Sequence, residues 1–229
     1  MSKLTMTRRA FVAAGSLLLA GCGAKEEPAQ TQPAEEAAAE QKPAEDAPAA
    51  EATSTGSAKD KRILVAFYSR ADENYPGEWL EVGHTKVMAG YIAEALGADT
   101  YEIVPVEPYP EGYDDCCDQA LEEQRNDARP AIAEALPDVS AYDVVFIGCP
   151  IWWGDEPMIV RTFLDGVDLS GKTIVPFTTH GGSGLGNVPA NLQAAISGAQ
   201  FLDGLAVTGT SVDDSHDEVV NWATGLMSA

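Results

Sequence analysis

Strand-type and helix-type segments alternate along the chain from residue 62 onward, and this pattern constrains the fold more than any other feature. Residues 62–68 form an apolar run of strand length, and residues 85–96 follow with apolar side chains at helical spacing. The alternation continues with strand-type segments at 100–104, 143–148, 173–177 and 205–208 and helix-type segments at 114–127, 157–164, 188–196 and 217–227. Such alternation favours a parallel sheet with helices on both faces. We therefore predict an α/β fold with a doubly wound sheet.

The first 22 residues have the features of an export signal. They hold three basic residues, no acidic residue and an apolar run, residues 10–20, that is too short to span a bilayer. Arg8 and Arg9 resemble a twin-arginine signal, and residues 19–22 resemble a lipobox, after which Cys22 would carry a lipid. An ordinary cleaved signal with an incidental cysteine is the alternative. We predict an exported lipoprotein, anchored through Cys22 to the extracytoplasmic face of a bacterial membrane.

Residues 23–59 differ in composition from the rest of the chain. They are rich in Ala, Glu, Pro, Gln and Thr and contain no aromatic and no large aliphatic residue. Such a segment has too little apolar surface to offset the entropy lost on ordering, so we predict a disordered tether. The remaining residues, 60–229, are long enough for one well-buried core, and we predict a single domain there.

The predicted domain is strongly acidic, with 28 acidic and 8 basic residues between positions 60 and 229. This charge repels polyanions, so we expect no nucleic-acid partner. It favours a basic or cationic partner, although a solvated acidic surface that keeps an exported protein soluble explains it equally well.

Three cysteines remain besides Cys22: Cys116, Cys117 and Cys149. An odd number with two adjacent members does not make a disulfide framework, so we predict no structural bridge. Idle thiols are the simplest interpretation, with a redox pair that includes Cys149 as the alternative. No residues are predicted to bind a metal ion.

A short stretch matches the spacing of a nucleotide-binding loop, since Gly166, Gly171, Lys172 and Thr173 satisfy G-x-x-x-x-G-K-[ST]. A phosphate-binding loop of this type needs a strand before it and a helix after it. Here a predicted helix precedes the stretch and a predicted strand follows it. We therefore interpret the stretch as a helix-to-strand turn and expect no ATP binding.

Unusual loops follow three of the predicted strands, at the edge where doubly wound folds bind ligands. Hydroxyls, a guanidinium and helix amides near the first strand suit a phosphate monoester, and adjacent tryptophans with nearby glycines suit an aromatic heterocycle. The predicted site residues are Ser69, Arg70, His84 and Thr85 in the first region, Pro150, Ile151, Trp152, Trp153 and Gly154 in the second, and Thr179, His180, Gly181, Gly182, Ser183, Gly184 and Gly186 in the third. Taken singly, each region has an alternative: tryptophan pairs plug cores, and glycine-rich loops often only turn.

These regions together resemble a flavodoxin-like family of FMN-binding proteins. The resemblance runs from residue 62 to about 208 and is carried by ILVAFYSR, EVGHTKVMAGYIAEALGAD, YDVVFIGCPIWWGDEP and TFLDGVDLSGKTIVPFTTHGGSGLG. It implies a five-stranded parallel sheet of strand order 2-1-3-4-5 and FMN as cofactor. It also implies that the first region binds the FMN phosphate and that the second and third flank the isoalloxazine ring.

One feature departs from the family pattern. A flavodoxin phosphate loop is compact, whereas 15 residues, 70–84, separate Ser69 from Thr85. This insertion contains Tyr75, Pro76 and Trp79. It is either a lid over the flavin or a surface excursion whose two ends meet.

The resemblance leaves three functions open. The first is an electron carrier that docks a redox partner protein, and the second is an FMN-dependent NAD(P)H:quinone-type reductase with a small-molecule electron acceptor. The third is a flavin-free interaction domain, which the intact Trp and Gly loops disfavour. His180 is the candidate catalytic residue, able to move a proton or stabilise charge, or else only to hold its loop by a backbone hydrogen bond. Asp155 and Glu156 are expected to disfavour a negatively charged reduced flavin.

Overall fold

The computed structural model describes residues 61–228, so the predicted signal and tether lie outside the described residues. The strands are β1 (Ile63–Phe67), β2 (Asp72–Asn74), β3 (Glu78–Leu80), β4 (Asp99–Glu102), β5 (Val144–Pro150), β6 (Thr173–His180), β7 (Gln200–Phe201) and β8 (Leu205–Thr208). The helices are α1 (His84–Leu96), α2 (Tyr113–Arg125), α3 (Met158–Gly166), α4 (Val188–Ala195) and α5 (His216–Ser228). Within residues 61–228, no helix is both long enough and apolar enough to cross a bilayer.

The central sheet is parallel and has the predicted order. β4, β1, β5 and β6 lie side by side, and both β7 and β8 pair with the outer edge of β6. Only β8 was predicted, so the edge strand is in fact interrupted. The interruption lies opposite Pro176, which has no N–H to donate, and a Cβ on Gly204 would lie 2.6 Å from the Pro176 carbonyl oxygen. If β7 and β8 count as one broken strand, the order is 2-1-3-4-5, and the predicted fold class is confirmed.

Helices cover both faces of this sheet, which explains why β1 and β5 are apolar at consecutive positions. Val65 and Phe67 pack with α1 and α5 on one face, whereas Leu64 and Ala66 pack with α2, α3 and α4 on the other. The ligand-binding edge is the one where β1, β5 and β6 end, because parallel strands end together.

The insertion between β1 and α1 folds as a two-stranded antiparallel hairpin, β2 and β3. Its two ends meet, because Gly83 packs against the Ser69 hydroxyl and the Arg70 carbonyl without room for a Cβ. A side chain at position 83 would push the hairpin away from the start of α1.

The G-K-T stretch lies at the opposite edge of the sheet. α3 ends at Gly166, Gly171 adopts a positive φ of 71°, and Lys172 donates its ammonium to the Tyr142 carbonyl oxygen at 2.7 Å. The order is helix, turn and strand, as predicted, and it lacks the helix N-terminus that a phosphate-binding loop requires.

Candidate functional site

A cleft of about 1130 Å³ lies at the carboxyl ends of β1, β5 and β6. Of the residues predicted from sequence, those that line it are Arg70, His84, Pro150, Ile151, Trp152, Trp153, Thr179, His180, Gly181, Gly182 and Ser183. Ser69, Thr85, Gly154, Gly184 and Gly186 were also predicted but do not line it. The structure therefore brings the three regions together at one cleft. The five predicted residues that do not line it lie in the same three regions.

The first turn of α1 forms one end of the cleft. Gly83 is the N-cap and supplies no side-chain hydrogen bond, so Ser69 takes that role by accepting the Lys86 amide at 3.0 Å. The hydroxyls of Thr85 and Thr179 hydrogen-bond to each other at 2.7 Å in the buried interior. Ser69 and Thr85 therefore fix the helix start, and within the described residues the amides of His84 and Thr85 remain as donors for an anion.

Residues at the end of β8 and directly after it, which the sequence reasoning missed, complete this end of the cleft. Thr208, Gly209 and Thr210 line it, and a Cβ on Gly209 would lie 2.6 Å from Nδ1 of His84. The signal was present, because a hydroxyl-rich Thr-Gly-Thr-Ser run begins at the last residue of the last predicted strand, at the same sheet edge.

Arg70 has a different role from the predicted phosphate ligand. Its guanidinium donates to the carbonyl oxygens of Glu73, Pro110 and Glu111, and the residue is only 8% exposed. Within the described part of the chain, its Nε has no acceptor. Arg70 therefore joins the hairpin to the loop before α2. Its guanidinium donates to these carbonyl groups instead of to a phosphate at the first turn of α1.

The two tryptophans after β5 lie in different surroundings. Trp152 packs edge-on against Tyr68 and Tyr109, with ring centroids 5.4 and 4.9 Å away, so it plugs the core. Trp153 is 55% exposed, adopts a positive φ of 52°, and donates its indole N–H to the Cys117 carbonyl oxygen at 2.9 Å. A bulky residue with positive φ is strained, and such strain is concentrated at functional sites. Trp153 is the tryptophan available for stacking on a ligand.

The acidic residues after Trp153 hold its turn in place. Asp155 accepts side-chain amide donors from Gln124 and Asn187, both at 2.8 Å. Glu156 is buried and accepts the Arg161 guanidinium at 2.8 Å. Neither carboxylate lines the cleft, so the expectation that they repel a reduced flavin loses its basis.

The glycine-rich loop after β6 is held by His180, whose Nδ1 accepts the Gly182 amide at 2.8 Å. Gly182 has a positive φ of 138°, and Gly186 packs against the Gly154 carbonyl without room for a Cβ. Burial lowers the pKa of His180, so its ring is neutral near pH 7, with the proton on Nε2 because Nδ1 is an acceptor. The predicted loop-holding role of His180 is thus present in the structure.

The remaining wall comes from the hairpin and from the first half of α2. The sequence predicted a role at the site for the insertion but none for this helix. The helix residues that line the cleft are Tyr113, Asp114, Cys116, Cys117, Asp118 and Ala120. The Tyr75 ring lies over the glycine-rich loop, since a Cβ on Gly181 would lie 2.8 Å from its Cδ1. The ends of the insertion meet, as the second alternative predicted, and its tip lines the cleft; that it acts as a lid over the flavin stays a prediction.

Two of the described thiols, those of Cys116 and Cys149, stay protonated at neutral pH. Cys116, Cys117 and Cys149 are all free, and burial raises the pKa of Cys116 to about 11 and that of Cys149 well above its usual value. Adjacent Cα atoms on a helix are about 3.8 Å apart, which is closer than disulfide geometry allows, so Cys116 and Cys117 cannot pair without unwinding α2.

Comparison with known proteins decides the family. A family model described as flavodoxin matches residues 62–225. This chain belongs to the flavodoxin family. The family predicted from the sequence is therefore confirmed.

Solved structures include three similar members with flavoprotein descriptions. A candidate flavoprotein from Bacteroides eggerthii is 32% identical, with a TM-score of 0.55 over 70% of this chain and 98% of that one. Another from Bacteroides uniformis is 30% identical, with a TM-score of 0.59 over 72% and 98%. A flavoprotein from Lactobacillus acidophilus, solved in complex with FMN, is 24% identical, with a TM-score of 0.52 over 67% and 97%. No curated protein matches the chain.

The donor groups of this flavodoxin-family cleft fit FMN. The first turn of α1 offers amides to a phosphate without needing a cationic side chain. The Trp153 ring and the backbone of the loop from His180 to Ser183 offer an aromatic face and amide donors to a planar ring. The cleft exceeds the roughly 300–1,000 Å³ of a typical small-molecule site, so FMN fits with room to spare.

We predict that FMN affinity falls on acidification below about pH 6.5, the ordinary pKa of histidine. Burial lowers the His180 pKa in the folded state, so the neutral ring stabilises the loop fully above pH 6.5, and that contribution is lost as the pH falls toward the lowered pKa. Protonation of Nδ1 removes the acceptor of the Gly182 amide. Fluorescence titration of FMN between pH 7.5 and 5 measures this.

His180→Asn is the matched control, because its side-chain oxygen can accept the same amide but does not titrate. Its FMN affinity should vary less with pH than that of the natural chain. An identical pH profile for both proteins would contradict the role given to His180.

Proposed function

We propose that this protein is an FMN-dependent electron-transfer protein that works at the outer face of a membrane. As a member of the flavodoxin family, the chain is an FMN flavoprotein. The observation that supports the proposal most is the meeting of the N-terminus of α1, an exposed tryptophan and a glycine-rich loop in one cleft at the carboxyl edge of the sheet.

Each part of the cleft would have a distinct task. The first-turn amides of α1 would bind the phosphate, and Trp153 would stack on the ring system. The backbone amides of the loop held by His180 would hydrogen-bond the ring edge, and Nε2 of His180 would hold a proton beside it. When bound, FMN supplies one- and two-electron redox chemistry.

A second candidate is a quinone-type reductase with a small-molecule acceptor. It is favoured by the exposed aromatic side chains of the hairpin and α2, which a carrier that docks only proteins does not require. The electron carrier is favoured by the acidic surface, which suits steered, transient docking of a redox partner protein.

One experiment tests both candidates. The purified chain is loaded with FMN, titrated anaerobically with dithionite while its absorption spectrum is followed, and then given NADH or NADPH together with a quinone. Two well-separated one-electron reduction steps without steady turnover would support the carrier. Direct two-electron reduction with rapid turnover would support the reductase, and failure to bind FMN would overturn both.

The proposed location rests on the sequence of the first 22 residues, where Arg8, Arg9 and Cys22 match an export and lipidation signal. We predict that changing both arginines to lysine stops export, and that Cys22→Ala yields protein that lacks a lipid and is absent from the membrane fraction. Cell fractionation with immunoblotting measures this. Normal membrane anchoring of both variants would contradict the proposal.

A further inference from the structure

The cleft is larger than one cofactor requires, and its extra wall is aromatic. Tyr75 is 57% exposed and Tyr113 is 36% exposed, although tyrosine rings usually pack against protein. Their ring centroids lie 6.4 Å apart, and both rings line the cleft beside Trp153. Exposed aromatic rings that converge from separate elements on one cavity indicate a binding surface.

This wall is held in position by polar contacts. Arg70 joins the hairpin to the loop before α2, and the Glu73 carboxylate accepts the Tyr113 amide at 3.1 Å. The wall therefore combines two elements whose relative placement is fixed, as a preformed ligand site requires.

The charges on the wall determine what can bind there. Asp114 and Asp118 on α2 line the cleft. Among the described residues that line it, Arg70 is the only Arg or Lys, and its two terminal guanidinium nitrogens donate to three backbone carbonyls. The α1 amides are the anion site, and on the proposed function the FMN phosphate uses them. A second anionic ligand would meet acidic side chains with no free cation.

We propose that the cleft contains a second subsite, formed by Tyr75 and Tyr113, for a planar aromatic molecule without negative charge, of the quinone class. This inference rests on the proposed function, because the second molecule would bind beside FMN. It implies that nicotinamide dinucleotides, which carry at least two phosphate groups, bind poorly in the same cleft.

Calorimetry on the FMN-loaded, oxidised full chain tests the charge selectivity. The ligands are menadione, which is uncharged, 1,4-naphthoquinone-2-sulfonate, which is equally planar but anionic, and NADH. We expect menadione to bind about fivefold or more tightly than the sulfonate, because two carboxylates repel the latter, and NADH to bind more weakly still. Asp114→Lys together with Asp118→Lys should remove or reverse the preference.

Asp115→Lys is the matched control for those variants. Asp115 lies in the same first turn of α2 but does not line the cleft, so it changes the same helix-end charge without changing the wall. The preference for the uncharged quinone should persist in this variant.

Aromatic variants test the wall itself. Tyr75→Ala and Tyr113→Ala should each weaken menadione binding about three- to tenfold, as expected for the loss of an aromatic contact, and leave FMN affinity unchanged. Trp79→Ala is the control, since Trp79 is a 62% exposed aromatic residue on the same hairpin that does not line the cleft. Tyr75→Phe should bind menadione normally.

Three results would overturn the proposal. They are the absence of menadione binding to the loaded chain, equal binding of menadione and the naphthoquinone sulfonate, and a loss of FMN affinity in the tyrosine variants that matches their loss of menadione affinity. The last result would assign the wall to the cofactor. A chain that never binds FMN would instead contradict the proposed function, and the missing flavin absorption would identify that case before calorimetry begins.

Discussion

Replacing Arg70 by methionine is expected to lower the free energy of unfolding of the FMN-free chain by about 3 kcal/mol. The guanidinium serves the carbonyl oxygens of Glu73, Pro110 and Glu111, and the residue is almost fully buried. Methionine keeps much of the packing volume but removes the guanidinium donor of the Glu73 and Pro110 carbonyls, whereas the Glu111 carbonyl still accepts the Glu73 amide. An unsatisfied buried polar group costs about 1–3 kcal/mol. The corresponding fall in the melting temperature is about 6–12 °C for a chain of this size, measurable by circular dichroism.

Arg125→Met is the matched control for this loss of charge, because Arg125 is an exposed residue at the end of α2. Its melting temperature should change by no more than a surface substitution does, about 0.5 kcal/mol in free energy. Arg70→Lys should be intermediate, because one ammonium group cannot reproduce the planar fork that reaches three carbonyls. Unchanged stability together with lost FMN binding would instead support the phosphate-ligand role that the sequence suggested.

Much of the fold was predictable because its signals are local. The apolar run at β1 and the helical spacing that follows it each lie within one short segment, and burial on both faces makes such strands easy to detect. The broken edge strand was missed because its cause is not local. Gly204 lies close to Pro176, 28 positions earlier in the sequence, and local strand and helix propensities do not reveal such a contact.

The location of the site was predictable from the sheet, but the roles of several residues were not. The rule that ligands bind at carboxyl ends correctly places residues 150–153 and 179–183 at the cleft. Thr85 was predicted as a ligand, but its hydroxyl is engaged by Thr179, 94 positions away. The Arg70 contacts to Pro110 and Glu111 span 40 and 41 positions. The residue types suit either a ligand or a structural bond, and only the folded arrangement decides which one forms.

The part of the cleft wall that α2 forms has almost no recognisable signal in the sequence. Its lining residues are a tyrosine, two aspartates, two cysteines and an alanine on a polar helix, a composition typical of a solvated helix face. Their importance comes from the hairpin, which lies opposite them and closes that side of the cleft. A site that combines a helix face with a distant insertion has no characteristic residue spacing in the sequence.

Removing the Trp153 side chain is expected to weaken FMN binding about 5- to 30-fold, from lost stacking and lost buried apolar area together worth about 1–2 kcal/mol. Trp153→Ala and Trp153→Gly should do so equally, because neither retains an aromatic face. Their stabilities should differ, however. Residue 153 has a φ of 52°, which costs an alanine about 1 kcal/mol relative to glycine. The FMN-free glycine variant should therefore be more stable than the alanine variant by about that amount, as measured by urea unfolding.

Comparing alanine with glycine isolates backbone strain, because both variants lose the same indole hydrogen bond to the Cys117 carbonyl. Trp79→Ala is the control for the loss of an exposed tryptophan. Lys172→Met is the control for the G-K-T stretch, which lies at the opposite edge of the sheet. Both variants should bind FMN normally. Equal stability of the two Trp153 variants would show that the turn is unstrained. If the strain is present, the natural chain bears a backbone cost at position 153 that is recovered only when the indole contacts a ligand, so the exposed ring and the positive φ have one common explanation.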